Sequence, residues 1–526
     1  MEGNAAEARL SLELVDQDSA KTIPGYFRVL DREGKPILFP DLDSRGVGLR
    51  QNHPARHWYA IQEKAVIKLP KSEVYLEAFS GINSELSRRK LDLRFFNRLS
   101  IRMPIRELLP LRQEGWHAGN THLHLKGLKR DAADRYLRTV PTSDRLDILF
   151  VSYLERASDD HSYISNEYPR PELDALSNDV TRFGNGQEHR HNFAPWGEGY
   201  GHVMFLEVDE LVKPVSLGKG LTGSGFDSPA LKNGIERARA QGATTVWCHN
   251  GLGLEGVPNW LAGRIHAQNI FDGGSQGDYS DTFYKYLNIG LSVPFSTGTD
   301  WFIYDFSRVY AAVEGSPSVD SWLSGLKAGR SFITNGPLLH LRVEELSLGG
   351  RLNLDRGRAV SVVSRAVGRG NFGELELVRN GKVIKSVVAK AVGNRFEAII
   401  ESRLLIGEAS WIAARVSGGG LGMEGNVIVP PSTPIRGTSQ GVNEMGEALF
   451  AHTSPIYVDF KGKPRFDVLA AEELIAEMEV GRDQVLAKGL FQSIAERDQV
   501  LSLYQESIEA LRERIAIHSS AGATKR

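Results

Sequence analysis

At 526 residues the chain is too long for one hydrophobic core and has the length of about three domains. Its 41% hydrophobic and 24% charged composition is that of an ordinary globular protein, and a formal net charge of −2 gives no basis for binding nucleic acid or an anionic membrane. The single cysteine, Cys248, excludes intramolecular disulfides and thiolate metal cages; within Val246-Trp247-Cys248 it reads as packing in a buried strand.

No window carries the roughly 18 consecutive apolar residues of a membrane-spanning helix. The opening Met1-Glu2-Gly3-Asn4 lacks the basic and apolar regions of an export signal, so the cytoplasm is the default expectation, with export if the N-terminus has been trimmed.

Residues 1–111 read as a β-sandwich. Leu10 to Leu14 alternates, Tyr26 to Leu30 leads into a turn at Asp31-Arg32-Glu33-Gly34, and Ala65 to Pro70 and Val74 to Phe79 follow as short strands. His53 and His57 with Trp58 and Tyr59 form a polar-aromatic knot read as packing. Over 112–337 short apolar runs (Leu146 to Val151, His202 to Val208, Thr244 to Cys248, Leu291 to Phe295) alternate with helical stretches such as Pro229 to Arg239 and Val319 to Ala328. That texture predicts a parallel α/β unit, whose active residues belong at the C-terminal ends of its strands. Over 338–462 β character returns, with Arg379-Asn380-Gly381-Lys382 as a hairpin turn. Ser417 to about Gly446 is a Gly/Pro/Ser-rich loop. Residues 463–526 form a helical tail in which Leu501, Tyr504, Ile508, Leu511 and Ile515 make one apolar stripe. The stripe docks on its own domain, or alternatively forms a homodimer contact.

The chemistry concentrates in the α/β unit, where eight of the 14 histidines lie between His117 and His249. In Asn120-Thr121-His122-Leu123-His124 the two histidines project from one face of a strand, which makes half of a metal site. Downstream come Glu188, within Gly186-Gln187-Glu188-His189-Arg190-His191, and His202, which opens a strand. His249 and Asp300 each follow an apolar run. Glu198 is an alternative to Glu188, and His189 and His191 are alternative ligands. His117 reads as structural and His161, after Asp159-Asp160, as solvated. Tyr153, Asn250, Asp272, Trp301, Tyr304 and Arg308 are candidates to contact or orient substrate, and Asn335 to fix a turn before Gly336-Pro337.

These stretches, with Ala328-Gly329-Arg330-Ser331-Phe332-Ile333-Thr334-Asn335-Gly336-Pro337, resemble the PHP (polymerase and histidinol phosphatase) metallohydrolase superfamily, closest to its CehA/McbA-type branch. The resemblance covers about 115–340. It implies an α/β fold: a distorted (β/α)7 barrel, here flanked by N- and C-terminal β-sandwich domains and the helical tail. Carried over by position, one metal takes His122, His124, Glu188 and Asp300, and a second shares Glu188 and adds His202 and His249. One or two divalent ions (Zn, Mn or Fe) suit such hard N/O ligands. The chain departs from the family where Leu154 and Phe302 replace histidines, where Asp131 is offset, and where Asn120 replaces an aspartate. The first three losses remove a third metal position.

The resemblance implies a hydrolase in which a metal-bound hydroxide attacks an ester, carbamate, amide or phosphoester of a small molecule, with Glu188 and Asp300 central to catalysis. Loss of the third position, with Trp301 and Tyr153 in its place, favours a less charged, partly apolar substrate. The alternative is a non-catalytic metal- and ligand-binding protein, with a degenerate barrel and β domains that recognise a glycan. A sugar-active enzyme is a third reading, without an evident carboxylate pair.

Overall fold

The protein is described by a computed structural model over residues 7–156, 163–194, 199–222, 225–249, 253–272, 283–416, 422–423, 428–429 and 441–523. Asn250, His161, Glu198 and most of the Ser417–Gly446 stretch lie outside the described residues.

In the first strand, Glu7–Asp16, Leu10, Leu12 and Leu14 are buried because alternate residues of a strand face the same side. It pairs antiparallel with Ala65–Pro70 and parallel with Arg98–Ile105. A second sheet is built from Gly25–Asp31, Tyr59–Ile61, Glu73–Phe79 and Ser87–Asp92. The two enclose a core that includes Leu12, Phe27, Val29, Leu76 and Ile101. The aromatic knot is packing, as expected: Trp58 is buried with its ring centroid 4.7 Å from that of Phe79, and the Arg28 guanidinium lies 4.4 Å over the indole.

The central unit is a curled, barrel-like sheet. Trp116–His124, Ile148–Tyr153 and Arg182–His191 pair in parallel, as do Thr244–Cys248, Ala267–Asn269 and Phe295–Ser296. Asp300–Trp301 pairs with Leu123–His124. Arg130–Ser143, Leu231–Ala240 and Val319–Lys327 are helices. The sheet is not uniformly parallel, which corrects the expectation from sequence. Gly201–Leu206 runs antiparallel to both Arg182–His191 and Thr244–Cys248. The physical reason is connection length: only residues 192–200 separate it from the preceding strand, and a parallel crossover needs roughly a dozen residues or more. The start of Gly201–Leu206 therefore lies level with the ends of its neighbours. Arg308–Ala312 likewise runs antiparallel to Trp116–His124.

Ser331–Thr334 extends the sheet to Ala451–Thr453, which pairs in turn with Ser410–Val416. Leu338–Val343, Arg358–Gly368, Arg395–Ile406 and Lys390–Val392 make the opposing sheet of the C-terminal sandwich. Asn380 (φ 51°) and Gly381 (φ 84°) both adopt the left-handed conformation that a tight hairpin requires between Glu374–Arg379 and Lys382–Val388. Asn335 does fix a junction: its Nδ2 donates to the Ala448 carbonyl (2.9 Å), and its Oδ1 accepts from Phe450 N (2.8 Å).

Two helices, Val468–Lys488 and Ile494–Ala523, close the molecule. Tyr504, Ile508 and Leu511 are buried, and Leu501 and Ile515 partly so, against the core that also holds Trp260 and Tyr286. The apolar stripe is thus covered within its own chain. Among the described residues, no helix is long and apolar enough to cross a membrane.

Candidate metal centre

One end of the curled sheet collects the candidate ligands. His122 and His124 are two apart near the end of Trp116–His124 and share a face. Glu188 comes from Arg182–His191, His202 from the start of the antiparallel strand, and His249 from the residue after Thr244–Cys248. Asp300 arrives on a short strand paired with Leu123 and takes φ 56°, a left-handed conformation uncommon outside glycine. Gly298 makes this approach feasible, since a Cβ there would stand 2.5 Å from the Cβ of His122.

His122 Nε2 is 2.9 Å from His124 Nε2 and 3.4 Å from Asp300 Oδ1, while His124 Nε2 is 3.1 Å from Glu188 Oε2. The His122–Glu188 and His124–Asp300 separations are both 3.8 Å. Donors about 2.0–2.1 Å from a tetrahedral ion lie about 3.3–3.4 Å from one another, and the observed distances bracket that value. The other oxygen of Glu188, Oε1, is 3.0 Å from His202 Nδ1. Glu188, His202 and His249 form a second group of donors within 4.8 Å of one another. Glu188 thus presents one oxygen to each group. Glu188 Oε1, His202 Nδ1 and Asp300 Oδ1 are buried and have no hydrogen-bond partner among the described residues, so the donor set fits a cation.

In each ring one nitrogen is engaged by an oxygen outside the donor set. His124 Nδ1 donates to the Ser152 carbonyl (2.9 Å) and His249 Nδ1 to the Asp272 carbonyl (3.2 Å). His122 Nδ1 faces Asp272 Oδ2 at 2.8 Å, and Asp272 also accepts from Asn269 Nδ2 (2.7 Å). His202 Nε2 faces Asn192 Oδ1 at 3.1 Å. Such partners orient metal-ligating imidazoles and raise their basicity. Burial, then Arg190, pushes His202 down to about 3, leaving it neutral and able to ligate. Burial opposes a charged Glu188, yet Arg190 and the neighbouring imidazoles of His122 and His124 hold its carboxyl well below the usual range. Burial likewise opposes protonation of His122, but Asp272 and Asp300 outweigh it and raise that group well above its ordinary value. The centre is therefore a concentration of negative charge, the electrostatic setting of a cation site.

Asp272, read from sequence as a candidate to orient substrate, stands behind His122. Its position just past Ala267–Asn269, at a strand end, was the available signal. Ser152, whose backbone carbonyl does the work, left none. Asn120 holds the loop instead of an imidazole, donating to Thr299 Oγ1 (2.8 Å) and accepting from His122 N (3.0 Å). Cys248 lies beside His122 and Asp272, but burial pushes its thiol up to about 12, so it stays protonated at neutral pH.

Other candidates fall elsewhere. Trp301 lies beside the centre, its ring 5.3 Å from that of His124 and 5.6 Å from that of Tyr163. Tyr153 lines a separate cavity of 270 Å³ with Tyr168, Arg170 and Asp209, and donates to Glu155. Arg308 is buried against Asp144, donating to its carbonyl at 2.7 Å. His189 packs on Phe205 and its Nδ1 donates to the Val215 carbonyl, while His191 pairs with Asp227 at 2.9 Å. His117 faces Asp147 at 3.5 Å, a structural position. A cleft of 760 Å³, lined by Arg28, Arg106, Asn335, Arg369 and Glu444 among others, contains none of the six ligand candidates.

No protein-family model matches the chain, and no curated protein matches it. The curled barrel-like sheet and its clustered buried His, Asp and Glu side chains are consistent with a PHP-like metal-hydrolase fold. The two clusters give capacity for one or two divalent metal ions.

Proposed function

We propose that the protein is a metal-dependent hydrolase of the CehA/McbA-type branch of the PHP superfamily, acting on an ester, carbamate, amide or phosphoester of a small molecule. The observation that carries this reading is the Glu188 carboxylate, one oxygen among His122, His124 and Asp300 and the other beside His202. His122, His124, Glu188, His202, His249 and Asp300 would hold one or two divalent ions, which would supply a water of lowered pKa, toward ~7, and polarise the oxygen of the scissile bond.

The chain's own residues set the rest. His122 and His124 have fully buried side chains, while Asp300 (13% exposed) and His202 (11%) mark the side open to substrate. Asp300, on that open side, is placed to accept a proton from an attacking water. Asp272 and the Ser152 carbonyl engage the two imidazoles through Nδ1, so that Nε2 of each would face the ion. Trp301 excludes water from the His124 side and offers an aromatic wall to a partly apolar leaving group.

The test is metal content by mass spectrometry on untagged protein, beside Glu188→Ala, followed by a substrate panel. Metal that falls in Glu188→Ala, together with hydrolysis that needs it, supports the reading. Tight glycan binding without turnover, unaffected by chelator, would replace it with the non-catalytic binding protein.

A further inference from the structure

Among the described residues, Arg190 is the one arginine or lysine ion-paired with the ligand cluster, and neither ligand set uses it. It lies two residues after Glu188 on the same strand, directly across from His202 in the antiparallel register. It therefore shares a sheet face with both. Its Nη1 is 3.5 Å from Glu188 Oε1, the oxygen that the second group of donors uses. The side chain is 11% exposed, and its Nε is buried without a hydrogen-bond partner among the described residues.

The two donor groups consequently differ in charge. The first contains two carboxylates, Glu188 and Asp300, while Asp272 stands behind both groups, its Oδ2 2.8 Å from His122 Nδ1 and 3.7 Å from His249 Nδ1. The second contains only the shared Glu188 and two imidazoles, and there the guanidinium offsets that single negative charge. A fixed positive charge a few ångströms from a carboxylate competes directly with a divalent ion for it, and burial weakens solvent screening of that competition.

Resting on the hydrolase reading, we infer that Arg190 is a built-in competitor for the second metal. The centre then holds one ion tightly through His122, His124, Glu188 and Asp300. It takes a second at His202 and His249 only when the ion concentration is high enough to displace the guanidinium from Glu188 Oε1. Metal availability thereby regulates the passage from a one-ion to a two-ion centre.

The experiment is a calorimetric zinc titration of metal-free, full-length protein against a competing chelator, with bound zinc counted after dialysis. In the wild type the first equivalent is expected to bind at least tenfold more tightly than the second. Arg190→Met should tighten the second equivalent at least tenfold and leave the first within a few-fold, whereas Arg190→Lys, which keeps the charge, should hold the second weak. Arg190→Gln serves the same purpose if the methionine variant does not fold. Two equivalents of equal affinity in the wild type, or a second site unchanged in the neutral variants, overturns the inference while leaving the hydrolase reading intact. Absence of zinc binding in wild type and variants alike overturns the hydrolase reading itself.

Discussion

At the residue scale, the centre divides into side chains that hold the ion and side chains that hold the ligands. Asp300 belongs to the first class, so Asp300→Ala is expected to lose metal and hydrolysis together; activity in the metal-free variant would refute the mechanism. Asp272 belongs to the second, and Asp272→Asn should weaken metal binding about 10–100-fold, measured by chelator competition, with the fold retained. The pairing of His122 with His124 was legible locally, because residues two apart on a strand share a face, and His249 and Asp300 stood out just past apolar runs; joining these with Glu188 and His202 in one centre rested on the family resemblance. Sequence reasoning did not reach Asp272's role, the Ser152 carbonyl or Asn192. Their partners are 150, 28 and 10 residues away, and nothing local marks a group whose function is to aim another.

A buried histidine away from the centre supplies a pH prediction. His452 is fully buried between the Tyr284 hydroxyl (2.8 Å) and the Thr453 carbonyl (2.7 Å), and burial, then Arg415, pushes it down to about 3. Between that value and the unfolded value near 6.5 the unfolded chain binds the proton and the folded chain does not. This group's contribution to stability is therefore complete above about pH 6.5 and is lost as pH falls toward 3. In metal-free protein, chemical denaturation between pH 6.5 and 4.5 should have a slope shallower by about 1.4 kcal/mol per pH unit in His452→Gln than in wild type. An unchanged slope would show that His452 takes up its proton in the folded state.

At the element scale, connection length and helix faces decide the arrangement. The short link over 192–200 reverses Gly201–Leu206, and that reversal brings His202, at a strand's beginning, to the end where its neighbours finish. Sequence periodicity located the strand without its direction, because alternation looks the same read either way. The apolar stripe of Ile494–Ala523 was legible from spacing alone, but what covers it was not. Since Leu511 is buried in its own chain's core, Leu511→Ala should cost about 2–5 kcal/mol by denaturant unfolding, with molecular mass by light scattering unchanged. A change in mass without loss of stability would restore the dimer contact.

At the scale of the whole molecule, a buried ion cluster ties the N-terminal sandwich to the barrel. Arg45, from the sandwich, and Arg308, from the barrel, both meet Asp144, at 2.9 and 3.5 Å, with all three side chains at 0–1% exposure. Asp144→Ala leaves two guanidinium groups in the interior without their carboxylate, and a loss of about 3–5 kcal/mol is expected from denaturant unfolding. A loss below 1 kcal/mol would mean that the backbone acceptors of Arg45 and Arg308 suffice.

What the sequence by itself determined is what depends on neighbours along the chain. The alternating strands, the Asn380-Gly381 hairpin, the helical tail and the pairing of His122 with His124 follow from local sterics and from the periods of strand and helix. Only the tertiary structure decided what depends on distance through space. It set Glu188 with one oxygen in each donor group, placed Arg190 against that carboxylate, put Asp272 behind His122, and buried Arg308 with Asp144. The physical reason is that a charge acts through its separation from other charges and its depth from water, and the order of residues along the chain specifies neither.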